Sequence, residues 1–230
     1  GKSLDVLAGT SISMNADALS QTNQGAVRYQ AQAGSIALGQ ISTANSGSVG
    51  SSGVALVAST AITDADADAA SPALTNVTTA NLLITAGTAI GSSTNAIETS
   101  VDTLSVLSSG GGSFLSESNA VSVDSVSVVT HNVLADGTLS GTNTSRSQQD
   151  LVTVSGALVL QAGGTLTING GTDSSGVNAG GNVLLKTSSG DIALNAALLS
   201  SGDVSLSAAA ALTQAAAGDI SLSTSGKTLE

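Results

Sequence analysis

Four stretches in the C-terminal third share one pattern: Gly181-Asn-Val-Leu-Leu-Lys-Thr, Gly190-Asp-Ile-Ala-Leu-Asn-Ala, Gly202-Asp-Val-Ser-Leu-Ser-Ala and Gly218-Asp-Ile-Ser-Leu-Ser-Thr. Each runs Gly, Asp or Asn, branched aliphatic, any residue, Leu, any residue, Ala or Thr. Alternation at period two places Val183 with Leu185, Ile192 with Leu194, Val204 with Leu206 and Ile220 with Leu222 on one face of a short strand. The leading Gly tolerates positive φ, and the Asp or Asn after it can bond its own backbone, so the pair is expected to turn the chain between strands. Weaker copies extend upstream: Leu4/Val6, Ile12/Met14, Val27/Tyr29, Ile36/Leu38, Leu82/Ile84, Leu104/Val106, Val121/Val123, Val126/Val128, Val152/Val154, Leu158/Leu160 and Leu166/Ile168.

The spacing excludes a helical protein, because β-branched residues and Gly are frequent, and Glu, Lys and Arg are scarce. Only Ser207 to Ala217, rich in Ala, offers a competing helical turn, and it is assigned to strand and turn. The copies recur at intervals that suit coils of about twenty residues or more with loops of unequal length. A sandwich or antiparallel barrel calls for aromatic core residues. Among 230 residues there are one Tyr, one Phe and no Trp. The pattern therefore predicts an all-β fold, a right-handed, single-stranded parallel β-helix (β-solenoid), in which small aliphatic side chains stack on their equivalents one coil away. About ten coils, a rod about 50 Å long, are expected at the 4.8 Å strand spacing.

Residues 1–230 form one solenoid segment in this scheme, with loops projecting from the rod near 63–79, which holds the only Pro, and near 131–150, a polar stretch. Leu229-Glu230 is expected to add nothing to the fold. No run of apolar residues is long enough to span a bilayer as a helix, and the first residues, Gly-Lys-Ser-Leu-Asp, do not form a signal peptide, so a piece of a longer chain is expected.

Charge and composition narrow the chemistry. The chain carries 16 acidic and five basic residues, a formal charge of −11, which disfavours nucleic acid as a partner. With no Cys, disulfides and thiolate chemistry are excluded. His131 is the sole imidazole, and although Asp124, Ser125 and Asp136 are near it in sequence, nothing marks a catalytic triad. Polysaccharide-active β-helices need clustered carboxylates with basic and aromatic partners, whereas Lys2, Arg28, Arg146, Lys186 and Lys227 are scattered singly; no enzyme is expected. Asp64, Asp66 and Asp68 form an Asp-x-Asp-x-Asp series of hard oxygen ligands that suits calcium, although Ala69 and Thr75 stand where an EF-hand needs Gly and Glu. No cofactor other than calcium at these three residues is expected, since Asp191, Asp203 and Asp219, which could stack into a metal ladder, lack the dense nonapeptide pattern of calcium-binding β-rolls and are assigned to turns. Thr165-Leu-Thr167 and Thr142-Asn-Thr144 do not recur in register as a flat threonine array requires.

The Gly-Asp-Ile/Val-x-Leu-x-Ala rungs resemble those of filamentous-haemagglutinin-type surface exoproteins and adhesins of Gram-negative bacteria. Residues 85–104, Thr-Ala-Gly-Thr-Ala-Ile-Gly-Ser-Ser-Thr-Asn-Ala-Ile-Glu-Thr-Ser-Val-Asp-Thr-Leu, followed by Gly111-Gly-Ser-Phe-Leu-Ser-Glu, are similar to a unit recurring in very long haemagglutinin-like repeat proteins. This resemblance implies a secreted, surface-displayed filament, with adhesion to glycans or proteins of a host or environmental surface carried by surface patches or other domains. It implies no catalytic residues. The expected role is a structural spacer displaying loops; the alternatives are a carbohydrate- or receptor-binding β-helix and, third, a polysaccharide-active enzyme. Bare terminal strands are expected to favour end-to-end association.

Overall fold

The strand Leu158–Ala162 shows how the alternation folds: Leu158, Leu160 and Ala162 are buried, while Val159 and Gln161 face outward. It pairs in parallel with Ser113–Glu117 and with Val183–Thr187, so that Leu115, Leu160 and Leu185 stack in one column. In the computed structural model, which describes residues 2–44, 52–66, 74–224, 226 and 228–230, this arrangement repeats along the chain. All the described regular structure is β, and the parallel strands wind into a solenoid of about eight turns.

Each coil contributes up to three short strands. The first face stacks Leu4–Ala8, Val27–Ala31, Gly53–Ala58 and the second half of Val77–Ala86, then the second half of Ile97–Ser108, Leu151–Thr153, Ser175–Ala179, Ala197–Ser200 and Ile220–Leu222. The other two faces are built in the same way, for example Val121–Val123 on Leu166–Ile168 on Ile192–Leu194 on Leu212–Gln214. Between them lies one continuous aliphatic core from Val27 to Val204, with Leu4, Val6, Ile12 and Met14 partly buried at one end and Leu206, Ile220 and Leu222 at the other. Burying each Leu, Ile or Val in such a stack is worth about 1.5–3 kcal/mol.

Eight turns rather than ten, a rod about 40 Å long, follow from two features. On the first face, away from the hairpin, successive rungs are 21 to 28 residues apart, as from Val177 to Leu198 and from Val54 to Leu82. One excursion also leaves the winding altogether. Val126–Val133 and Leu139–Gln148 form an antiparallel hairpin inserted between two coils. The stretch 131–150, expected as a projecting loop, is thus mostly hairpin: Arg146 and Gln148 bond to the rod, while 133–139 is exposed. Val126 and Val128 are accordingly buried outside the main core, against Ala55 and Leu83. Of the other expected loop, 63–79, Thr63 and Asp64 complete the strand Ile62–Asp64, and Val77 to Thr79 begin the strand Val77–Ala86. Pro72 and Asp68 lie outside the described residues.

Three local expectations change. The rung at 151–154 is shifted by one residue, so Leu151 is fully buried and Val154 is 62% exposed; a one-residue shift exchanges the two faces of a strand. Leu229 bridges to Val204, and Glu230 exchanges backbone hydrogen bonds with Val204 and Leu206, so the last residues extend the ladder. The Gly-Asp corners work between coils rather than within a turn. Asp191 accepts the Ala211 N–H at 2.9 Å, Asp203 that of Thr228 at 2.9 Å, and Asn182 that of Asp203 at 2.9 Å. Gly190 does adopt positive φ, +83°, but Gly218 is needed because a Cβ there would collide with the Leu194 carbonyl of the preceding coil.

Candidate functional site

The hairpin crosses the outside of the first face and runs back toward the N-terminal coil. Its inner side is apolar under one strand: Val126 and Val128 are buried over Ala55 and Leu83. Under the other strand the contacts are polar. Gln148 accepts the Thr85 hydroxyl at 2.6 Å and donates to the Ile84 carbonyl at 3.2 Å. Arg146 donates to Gln30 Oε1 at 2.9 Å. The same Gln30 oxygen accepts from Arg28 Nη1 at 2.6 Å, and Arg28 holds Asp5 in a bidentate pair at 2.7 and 2.8 Å. Two basic residues that stand apart in sequence therefore meet on one amide oxygen. Charge-assisted, two-pronged bonds of this kind fix orientation as well as adding energy.

At its far end the hairpin reaches the first coil, where the His131 N–H donates to Ser3 Oγ at 3.0 Å. A surface hollow of about 430 Å³ opens there between Leu7, Arg28, His131 and Val133. Val133, Leu134 and Leu139 at the tip are exposed. His131 is not joined by the acidic and hydroxyl residues near it in sequence. Asp124 and Ser125 are at the opposite end of the hairpin, bonded to Asn169 and Gln149, and Asp136 accepts from Thr138, which lowers its pKa. Ser3 and Asp5 line the same hollow, where Ser3 Oγ meets the backbone N–H of His131 and Asp5 is held by Arg28.

The root of the hairpin gathers acidic groups that sequence spacing does not reveal. Asp150, at φ +67°, lies where the chain re-enters the coil and is 5% exposed. Its Oδ2 accepts from Ser175 Oγ at 3.2 Å, and the same hydroxyl lies 3.1 Å from Asp173 Oδ1. Asp173 Oδ2 accepts from Gln149 Nε2 at 2.5 Å, while Gln149 Oε1 accepts the Thr172 N–H at 3.0 Å. Burial pushes the Asp150 carboxyl up to about 6, with the charges of Asp173 and Asp124 adding to the rise and the Ser175 bond opposing it. Residues 150, 173 and 175 meet because one coil separates them, so only the coil register could have shown it.

The expected calcium ligands have another setting. Asp64 is 8% exposed, and its Oδ1 accepts from Asn76 Nδ2 at 2.6 Å and from the Asp66 N–H at 3.0 Å. Asp66 Oδ2 accepts the Leu74 N–H at 3.3 Å, and Asn95 Nδ2 holds the Asp66 carbonyl at 2.7 Å. Asp64 thus acts in a corner between coils; Asp68 lies outside the described residues. Among the described residues, no three acidic, His or Cys side chains are grouped to enclose a metal ion. Glu117, 2% exposed and raised in pKa by burial, spends both oxygens on Thr99, Val101 and Asn119. It is a corner bracket of the fifth coil.

Among the described residues, no helix is long and apolar enough to cross a membrane. The chain matches no protein-family model, no curated protein and no solved structure.

Proposed function

We propose that this chain is a rigid spacer segment of a secreted bacterial surface exoprotein of the filamentous-haemagglutinin kind, which sets distance and displays surface elements without catalysing a reaction. What supports this is the interior: stacked, almost wholly aliphatic side chains fill it from Val27 to Val204, and among the described residues the hollow of about 440 Å³ beside Ser125 and Thr172 lies on the surface. A core used entirely for stacking, bonded coil to coil on three faces, makes a rod.

A second reading, a glycan- or receptor-binding module, draws on the hairpin, whose exposed Val133, Leu134 and Leu139 suit a displayed contact element. Glycan arrays and host-cell binding with the whole chain separate the two. The spacer requires no saturable binding tighter than about 1 mM. A saturable isotherm that is lost with Leu134→Ser would replace it with the binding module.

A further inference from the structure

An asparagine followed two residues later by Ser or Thr, with any residue but Pro between, is the acceptor motif for N-linked sugars. The chain contains it twice, as Asn76-Val-Thr78 and as Asn143-Thr-Ser145. The fold treats the two oppositely. Asn76 is 1% exposed; its Nδ2 donates to Asp64 Oδ1 at 2.6 Å and to the Leu38 and Gly39 carbonyls at 3.3 Å, and its Oδ1 accepts the Glu98 N–H at 2.9 Å. That amide is used up in tying one coil to the next and meets no solvent. Asn143 and Ser145 are both exposed on the hairpin strand Leu139–Gln148. Because side chains alternate along a strand, the amide and the hydroxyl two residues on stand on one outward face. Thr144 between them turns inward, where its hydroxyl accepts from Asn132 Nδ2 at 3.3 Å. Their cross-strand neighbours, His131 and Val129, are exposed as well. Among the described residues this strand has a partner strand on one side only, so its other edge is open.

We propose that Asn143 is a modification site, the acceptor of an N-linked sugar on the outer face of the hairpin, and that Asn76 is not one in the folded chain. The donor is a sugar activated at C1 by a phosphate leaving group, carried either on a nucleotide or on a lipid pyrophosphate. The C1–O bond to phosphate breaks and a bond from C1 to Asn143 Nδ2 forms; the phosphate leaves with the bonding electron pair, and a base of the transferase takes the proton that Nδ2 gives up. Nothing is oxidised or reduced. An amide nitrogen is a poor nucleophile because its lone pair is shared with the carbonyl, the resonance that also flattens the peptide bond. The transferase must therefore hold the amide and the hydroxyl together, and Asn143 and Ser145 present both, neither side chain being bonded to another described residue. A bulky, hydrated group at this position would cover Val129, which is 41% exposed, and leave the bonds of Arg146 and Gln148 to the rod in place. This inference goes beyond both readings of the function and depends on neither.

The test is in vitro transfer to the folded whole chain, read by intact mass and peptide mapping. One arm uses a soluble asparagine glucosyltransferase with UDP-glucose, the other an oligosaccharyltransferase with its lipid-linked oligosaccharide, so the arm that works identifies the donor. Synthetic peptides covering residues 74–82 and 139–149 serve as unfolded acceptors. Both peptides should take sugar, whereas the folded chain should take it at Asn143 alone in at least one arm. Asn143→Gln and Ser145→Ala should each abolish transfer to the folded chain while leaving its urea transition unchanged, since both positions are exposed. The proposal is overturned if the 139–149 peptide is modified and the folded chain is not, which would mean that the hairpin hides the motif. It is overturned equally if neither arm modifies residue 143 in chain or peptide, if Ser145→Ala leaves transfer intact, or if Asn76 of the folded chain is modified.

Discussion

The first face of the solenoid carries two different surfaces. Where the hairpin covers it, the outward positions Arg28, Ala55 and Leu83 are 6%, 0% and 2% exposed. In the later coils the same face is open, and its outward positions Val152, Asn178 and Leu199 are half-buried or exposed. The inside barely differs: Leu56 and Ile84 in the covered part, and Leu151, Val177 and Leu198 in the open part, are all fully buried. The interior of a solenoid is thus set rung by rung through simple alternation, while its exterior is set by a segment that is not part of the repeat. A strand buried on both sides must give up its alternation, and Gly53–Ala58 and Val77–Ala86 do so.

The comparison is first sharpened in the shared interior. Leu194→Asp places an unpaired charge among stacked side chains and should cost about 4 kcal/mol or more, measured by urea unfolding. An unchanged transition would mean that the column does not act as core. Next comes the covered exterior. Leu83→Ser should cost about 2–3 kcal/mol by removing the apolar floor under Val126 and Val128. Hydrogen exchange should show residues 126–148 losing protection before the rungs do. If hairpin and coils instead open together, the hairpin is part of the cooperative unit of the solenoid rather than a layer laid upon it.

Much of the interior was legible because its code is local. Val183/Leu185, Ile192/Leu194 and Leu158/Leu160 follow directly from period two. Val152/Val154 misleads because both faces of that short strand carry apolar residues, leaving Leu151 and Val152 to compete for the inside. The hairpin was harder to see. Val126-Ser-Val-Val-Thr alternates like a rung, and only its pairing with a polar strand, Leu139–Gln148, marks it as a separate layer. A signal was present in the unbroken apolar runs Val54-Ala-Leu-Val and Leu82-Leu-Ile, which call for cover on both sides. The acidic cluster at the root could not be read at all, since Asp150 and Asp173 become neighbours only through a coil of a length the sequence does not announce.

Acidity tests the root of the hairpin, where the covered and open surfaces meet. A carboxyl whose pKa is raised on folding prefers to be protonated in the folded state. Its cost is therefore absent below the unfolded value, grows as pH rises, and is complete once the folded value is passed. For Asp150 that window runs from 3.8 to about 6, and burial moves Glu117 in the same direction. The chain should lose stability between pH about 4 and 6 and change little above that. Asp150→Asn should flatten part of the loss and stabilise the protein at neutral pH by about 1–2 kcal/mol, allowing for solvent screening. Urea unfolding at the two ends of the window checks it, and an equal slope in both proteins would place the strain elsewhere.

The smallest effect belongs to the open surface, and it bears most directly on the contrast between the two regions. Leu199 points outward from the strand Ala197–Ser200, is 38% exposed, and stacks beside Asn178 on one side and Ser221 on the other. No hairpin strand crosses it. Leu199→Ser keeps the backbone ladder, leaves no cavity and exchanges a half-wet apolar side chain for a polar one, so stability should change by less than about 0.5 kcal/mol. Leu83→Ser is the same chemical change on the same face, made beneath a cover. Measured side by side in urea, the two should differ by about 2 kcal/mol, which is the worth of that cover. If Leu199→Ser costs as much as Leu83→Ser, the later coils are not bare in solution. The cost should then fall with dilution if a second copy covers them, and stay constant if the cover belongs to the same chain.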